Sequence, residues 1–288
     1  MLIRRKKKQP ILFLIAVGIC TIIAFFLCIV NLENITATDE VQEVVVQEQA
    51  DNENTAAEEA TEDDSRSNTG VQGETQDIME NVAPESYIIE SFPIINQMPE
   101  LPTGCEITAL TMAMNYYGIN VDKVTMATEY LPTDSANLYY GDDGRLYGSD
   151  MYSYFIGDPT SALGYICGPG AIVDAADKYF SEFNIQMQAV DISGTVPEDL
   201  YNLVTQDIPV VVWVTIGMAD RATTEGWYTE DGAYVDWSTN DHGAVLIGYT
   251  DDTVTLADPI SGLSEYNRIQ FEKVFVSRKC QCVILETN

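Results

Sequence analysis

Thr103-Gly104-Cys105-Glu106-Ile107-Thr108-Ala109-Leu110-Thr111-Met112-Ala113-Met114-Asn115-Tyr116-Tyr117-Gly118 is the stretch on which the reading of the fold turns. Thr103 followed three residues later by Glu106 has the form of a capping box, with Thr103 as N-cap and Glu106 at the third helical position. Ile107, Leu110, Met114 and Tyr117 recur at helical spacing, and Gly118 supplies the stop. Cys105 then lies in the first turn. Free backbone N–H groups and the positive end of the helix dipole favour a thiolate there, and the thiolate is the nucleophilic form of cysteine. The competing role is that of a small buried apolar residue, the usual fate of a free cysteine.

Toward the C-terminus, a second helix is expected from Pro169, with Ile172, Ala175, Ala176, Tyr179 and Phe180 along one face. A third is expected after a second capping box, Thr195-Val196-Pro197-Glu198. The pattern then changes to strands. Pro209 to Val214 is a buried, β-rich run. Ala244–Tyr249 and Val254–Ala257 flank the turn Thr250-Asp251-Asp252-Thr253 as a hairpin, and Cys282 to Leu285 is a last strand. Helices first and an antiparallel sheet afterwards predict an α+β fold.

His242 is the only histidine in the chain, at the start of the expected hairpin. Imidazole is the one side chain that is unperturbed as a base near neutral pH, which a cysteine nucleophile requires. Asp258 ends the returning strand, and folding about Asp251-Asp252 brings it within a few residues of a position opposite His242. A carboxylate there would hold the imidazole in the correct tautomer. Taken singly, a histidine capping a strand and an aspartate opening a turn before Pro259 are the plainer readings. The triad explains three positions together.

The stretch Asn96-Gln97-Met98-Pro99-Glu100-Leu101-Pro102-Thr103-Gly104-Cys105-Glu106 resembles the signature of the C-39-like peptidases. These are stand-alone relatives of the papain-like, double-glycine-cleaving peptidase domains of bacteriocin exporters. The similarity continues through Gly157-Asp158-Pro159, Ile208 to Trp213, His242 to Tyr249 and Ala257-Asp258-Pro259, in order. The resemblance implies a papain-like fold with Cys105 as nucleophile, His242 as general base and Asp258 as orienting residue. It also implies that Gln97 donates its side-chain amide to the oxyanion hole, a role that suits a residue just upstream of the nucleophile's helix. No cofactor or metal belongs to the implied site. The substrate is a peptide or protein of unspecified sequence. The exporter's Gly-x-x-x-x-Gly-Lys-Ser/Thr loop is missing, so leader cleavage in the cytoplasm is not implied.

Upstream the composition changes twice. Residues 32–85 are rich in Glu, Asp, Thr, Asn, Gln and Ala, with Arg66 the single base and no aromatic residue. Such a segment buries too little apolar surface to offset its ordering entropy, so it is expected to be a disordered acidic linker, with the folded domain at 86–288. Before it, Ile11 to Val30 is an uncharged apolar run, long enough to cross a hydrocarbon core of roughly 30 Å. The cluster Arg4-Arg5-Lys6-Lys7-Lys8 precedes it. A cytoplasmic segment 1–10, a transmembrane signal anchor 11–31 and an extracellular domain follow from that asymmetry. Secretion after cleavage beyond Ala37 is the alternative.

The whole chain carries 14 Lys and Arg against 45 Asp and Glu, a net charge of -31. Such a chain repels nucleic acid and anionic lipid, so no nucleic-acid role is expected. Three further groups stand out in the sequence. Cys167, also before a helix, is a rival nucleophile outside the family motif. Cys280 and Cys282, alternating along a strand, would bridge to Cys167, bind metal or fill the core. Trp227, Tyr228, Tyr234 and Trp237 would line a substrate groove or cover the domain's edge. The function expected is that of a membrane-anchored extracytoplasmic cysteine peptidase. The alternatives are a cell-wall amide hydrolase or acyl transferase using the same residues, and a non-catalytic surface module.

Overall fold

A computed structural model describes residues 84–288, Thr223 apart. The expected cytoplasmic segment, the transmembrane anchor and all but the end of the linker lie outside the described residues. Among the described residues no helix is long and apolar enough to cross a membrane.

In chain order, a short strand β1 (Tyr87–Ile88) leads by a loop into helix α1 (Cys105–Tyr116). A single turn, α2 (Lys123–Thr125), runs on into a π-helical turn at Met126–Tyr130. Short strands β2 (Thr133–Asp134), β3 (Tyr139–Tyr140), β4 (Leu146–Tyr147) and β5 (Phe155–Ile156) follow. Next come α3 (Pro169–Phe183), β6 (Met187–Asp191), α4 (Pro197–Val204) and β7 (Val210–Thr215). The last part holds β8 (Trp227–Tyr228), β9 (Tyr234–Val235), β10 (Asp241–Tyr249) and β11 (Thr253–Asp258). It ends with β12 (Gly262–Asn267), α5 (Arg268–Ser277) and β13 (Cys282–Thr287). The main sheet is antiparallel, in the order β12-β11-β10-β7-β13-β6, with β1 added to β10. The α+β class is as expected. The order is less tidy than helices before strands, because β6 lies between α3 and α4 and α5 lies between β12 and β13.

Helix α1 is buried on every side from Cys105 to Met114, as a central helix must be. Its two interior threonines are accommodated because each hydroxyl donates one turn back, Thr108 Oγ1 to the Gly104 carbonyl and Thr111 Oγ1 to the Ile107 carbonyl, both at 2.7 Å. The apolar side chains around them pack on β10 and β7. A fully buried side chain such as Leu110 contributes about 2 kcal/mol by leaving water.

The β10–β11 hairpin carries an irregularity that matters for chemistry. Tyr249 pairs with Val254 and Gly248 with Thr255, but Leu246 pairs with Leu256 and Val245 with Ala257, leaving Ile247 as an extra, bulged residue. Side chains alternate along a strand, so one extra residue exchanges the two faces. Beyond the bulge, Asp258 falls opposite Ala244 and on the same face as His242. In an unbulged ladder it would fall opposite Val245, on the other face. The bulged carbonyl of Ile247 is not orphaned, because the Ile89 N–H donates to it at 2.8 Å.

Three local expectations fail. Helix α1 has Gly104, not Thr103, as N-cap and no side-chain cap. The second capping box is likewise unformed. Val196 is the N-cap of α4, and Thr195 Oγ1 donates to the Ile192 carbonyl at 2.5 Å. Cys280 and Cys282 do not alternate on one strand, because β13 starts at Cys282 and Cys280 sits in the preceding turn with φ +52°. Cys105, Cys167, Cys280 and Cys282 are all free thiols.

Candidate active site

The start of α1, the start of β10 and the loop before α1 converge on one cavity of about 350 Å³, lined by Cys105, His242 and Gln97 among others. Asp258 stands behind His242. Its Oδ1 lies 3.0 Å from His242 Nε2, both side chains being buried, and also accepts the N–H groups of Ile260 (2.7 Å) and Ser261 (3.1 Å). Burial opposes a charge at Asp258. The hydrogen bond and charge of His242, with the two amides, outweigh that and lower its pKa from 3.8 to about 2. A carboxylate so firmly ionised only accepts, so Nε2 carries a proton toward it and Nδ1 is the ring nitrogen left facing the cavity side. Nδ1 is buried and has no partner.

The loop carrying Gln97 is tied from two directions. Its N–H donates to the Pro259 carbonyl at 2.8 Å, joining it to the turn after Asp258. Lys123 Nζ, on α2, binds the carbonyls of Asn96, Gln97 (2.9 Å) and Met98 (3.4 Å), and pairs with Glu100 at 2.8 Å. The Gln97 side chain is buried, with Nε2 donating to the Pro102 carbonyl at 3.0 Å. A primary amide has two such hydrogens, so one remains undirected.

Cys105 is the first residue of α1, but its thiol is not acidified there. Burial pushes its pKa well above the ordinary 9.0, and the charge of Glu106 adds to this. The N–H groups of Gly243 and of Cys105 itself pull the other way and lose. Sγ donates to Glu106 Oε2 at 3.3 Å rather than to the imidazole. Glu106, expected to reach back as half of a capping box, is instead wholly buried beside the thiol. The reason lies in Thr103. Its hydroxyl is drawn away to the Ser161 carbonyl at 2.9 Å, where the 158–164 loop presses so close that a Cβ on Gly164 would meet Thr103 Oγ1 at 2.3 Å.

Behind His242 lies a charged network that sequence reasoning missed. Asp241 is buried and takes Arg221 (3.1 Å), Arg278 (3.0 Å) and the Ser238 N–H (2.7 Å), while Arg221 also holds Asp236 at 3.0 Å. The ion pairs link positions 20 and 37 residues apart (221 or 278 to 241), which no local pattern reports. They clamp the first residue of β10 and so position the imidazole. Of the other groups weighed, Cys167 is fully buried, with a thiol pushed well above its ordinary value by burial, and is absent from the cavity wall. Trp237 lines the cavity, Trp227 is buried beneath it, and Tyr234 is exposed on the small sheet β3-β4-β8-β9.

Residues 89–283 match the family model described as Peptidase_C39 like family. A protein from Bacillus anthracis described as a C39-like peptidase has a solved structure that is 30% identical, with a TM-score of 0.61, covering 71% of this chain and 99% of that one. The uncharacterized protein YvpB of Bacillus subtilis (strain 168) is 27% identical over 196 residues, which is 67% of this chain and 74% of that protein.

Proposed function

Since the chain belongs to the Peptidase_C39 like family, of cysteine-peptidase type, we propose that it hydrolyses peptide bonds through Cys105, His242 and Asp258, with Gln97 in the oxyanion hole. The observation that carries this reading is the buried His242–Asp258 pair at 3.0 Å, on the cavity that also receives Cys105 and Gln97. The Sγ proton passes to the free Nδ1 of His242, and Asp258 stabilises the imidazolium that forms. The thiolate attacks the scissile carbonyl. Its oxygen takes on negative charge within reach of the Cys105 N–H and the second Gln97 amide hydrogen. The imidazolium then gives its proton to the leaving amine, and water releases the acyl group from sulfur. Leu163, Tyr165, Ile216, Trp237 and Ile260 give an otherwise mixed wall an apolar stretch, which suits an apolar side chain beside the scissile bond.

In the same proposal, residues 11–31 anchor the protein in the cell membrane and the peptidase works outside it, on the strength of the basic cluster and the uncharged apolar run. Alkaline extraction of membranes distinguishes an anchored chain from a released one.

The test of the chemistry is labelling of Cys105 by iodoacetamide, located by peptide mapping, in wild-type protein and the His242→Ala variant, followed by cleavage of a peptide library. Cys105 labels faster in wild type. Equal resistance in both proteins overturns the reading. One observation favours a second reading, a surface module without turnover, namely that the resting thiol is bonded to Glu106 and not to the imidazole. A Cys105→Ala protein that performs its cellular role unchanged would establish it.

A further inference from the structure

We propose that Glu106 is a positioning residue that ties the ionisation of Cys105 to pH, holding the proton on Sγ when charged and donating to the thiolate when neutral. This rests on the reading of Cys105 as nucleophile.

The argument begins with where the carboxyl is kept. Glu106 is completely buried; Oε2 accepts from Sγ at 3.3 Å, and Oε1 has no partner at all. Strand β10 seals it, because a Cβ on Gly243 would lie 2.8 Å from Glu106 Cα and 3.0 Å from Cγ, so the bare backbone is pressed against the carboxyl's stem. The groups that face it can be named element by element. On α1 it meets Cys105, and on β10 His242. From the segment before α3 it meets the Cys167 amide and thiol. From the segment after α5 it feels Arg278, whose guanidinium is already committed to Asp241 at 3.0 Å and to Gln281 Oε1 at 2.9 Å. Asp241 is shared with Arg221. Among the described residues no Lys or Arg pairs with Glu106 directly.

A carboxylate in contact with a thiolate in a dry site places two like charges side by side, and only one of them forms easily. Beside the ionised Asp258, moving the Sγ proton to His242 Nδ1 while Glu106 is charged adds a thiolate against that carboxylate and gives three negative groups to one positive. Making the same transfer while Glu106 is neutral leaves one negative group fewer, and its O–H then points at the sulfur. The electron pair stays on sulfur throughout, and Glu106 keeps its own proton. Burial, acting against the amides and the thiol that favour its charge, raises the Glu106 carboxyl from 4.5 to about 7. The direction follows. The thiolate–imidazolium pair is favoured below that value and is suppressed as pH rises through it.

The test is the rate of iodoacetamide labelling at Cys105, mapped apart from the other thiols, as a function of pH in wild type, Glu106→Gln and His242→Ala. Wild-type labelling is expected to fall as pH rises through neutrality. At about pH 8, Glu106→Gln labels roughly tenfold faster than wild type, and at about pH 5.5 the two agree within about threefold. A Glu106→Gln profile superimposable on wild type overturns the inference and leaves the peptidase reading standing. Wild-type labelling as slow as His242→Ala at every pH overturns the peptidase reading instead, and this inference with it. Infrared titration of the wild-type protein gives an answer even if the variant does not fold. A protonated carboxyl band persisting to about pH 7, and shifting when Cys105 is alkylated, supports the assignment, and titration of every carboxyl band below about pH 5.5 overturns it.

Discussion

The hairpin that supplies His242 and Asp258 and the helix start that supplies Cys105 and Glu106 each bury a carboxyl group beside a reactive side chain. The two carboxyls are shifted in opposite directions. Asp258 receives an imidazole N–H and two backbone amides on one oxygen and is lowered to about 2. Glu106, with a thiol on one oxygen and nothing on the other, is raised to about 7. Burial is common to both and pushes both upward. At Asp258 the imidazole and two amides outweigh burial, whereas at the more deeply enclosed Glu106 burial outweighs the amides and the thiol. The balance of depth against donors therefore sets the charge at each position.

Removing the charge from the hairpin side should have the largest effect. Asp258→Asn keeps the shape but no longer fixes the tautomer of His242. Turnover of a cleavable peptide is expected to fall by roughly 10³-fold to 10⁴-fold. A fall of less than about twofold would show that the hairpin carboxylate has no orienting role.

Removing the charge on the helix side should be read in stability. The folded pKa of Glu106 lies above its unfolded value of 4.5, so its contribution is complete below about pH 4.5 and is lost as pH rises through about 7. The loss is about 3 kcal/mol. Urea unfolding at acid and mildly alkaline pH should show that slope in wild type and its absence in Glu106→Gln. Asp258 has the opposite sign. Its folded value lies below the unfolded 3.8, so its stabilisation is present above about pH 4 and disappears as pH falls toward about 2. Acid unfolding of Asp258→Asn lacks that step.

Gly243 joins the two regions. Gly243→Ala puts a methyl 2.8 Å from Glu106 Cα and should cost about 1–3 kcal/mol, measured by denaturant midpoint, with the strand forced off the helix. The smallest effect is expected from Lys123→Met, which frees the Gln97 loop from α2. The expected loss is about tenfold in kcat, with stability changed by less than about 1 kcal/mol, since the ion pair to Glu100 is partly exposed.

The same contrast shows what a single chain reveals before folding. Helix α1 and the hairpin were readable because their signals are local: Ile107, Leu110 and Met114 share a helical face, and Asp251-Asp252 marks a turn. Cys105, His242, Asp258 and Gln97 were named from residue chemistry and a family resemblance, and the fold brings Cys105, His242 and Gln97 to one cavity with Asp258 on the imidazole. Glu106 was misread because a spacing rule treats Thr103 as free to cap, whereas Ser161, far along the chain, claims its hydroxyl. Arg221 and Arg278 show no pattern at all until β10 places Asp241 between them. The bulge at Ile247 had one overlooked signal, the isolated Gly248 in an otherwise apolar strand.

The closeness of Gly243 to Glu106 also fixes what can move. With a strand backbone lying against the helix that bears Cys105, α1 and β10 have little room to slide past each other, so the thiol and the imidazole sit on one tightly packed unit. In the proposed peptidase, freedom to adapt to a substrate's girth would therefore fall to the loops bearing Leu163 and Trp237 on the cavity wall. Motion of those loops would change the aperture while leaving Cys105 and His242 in place.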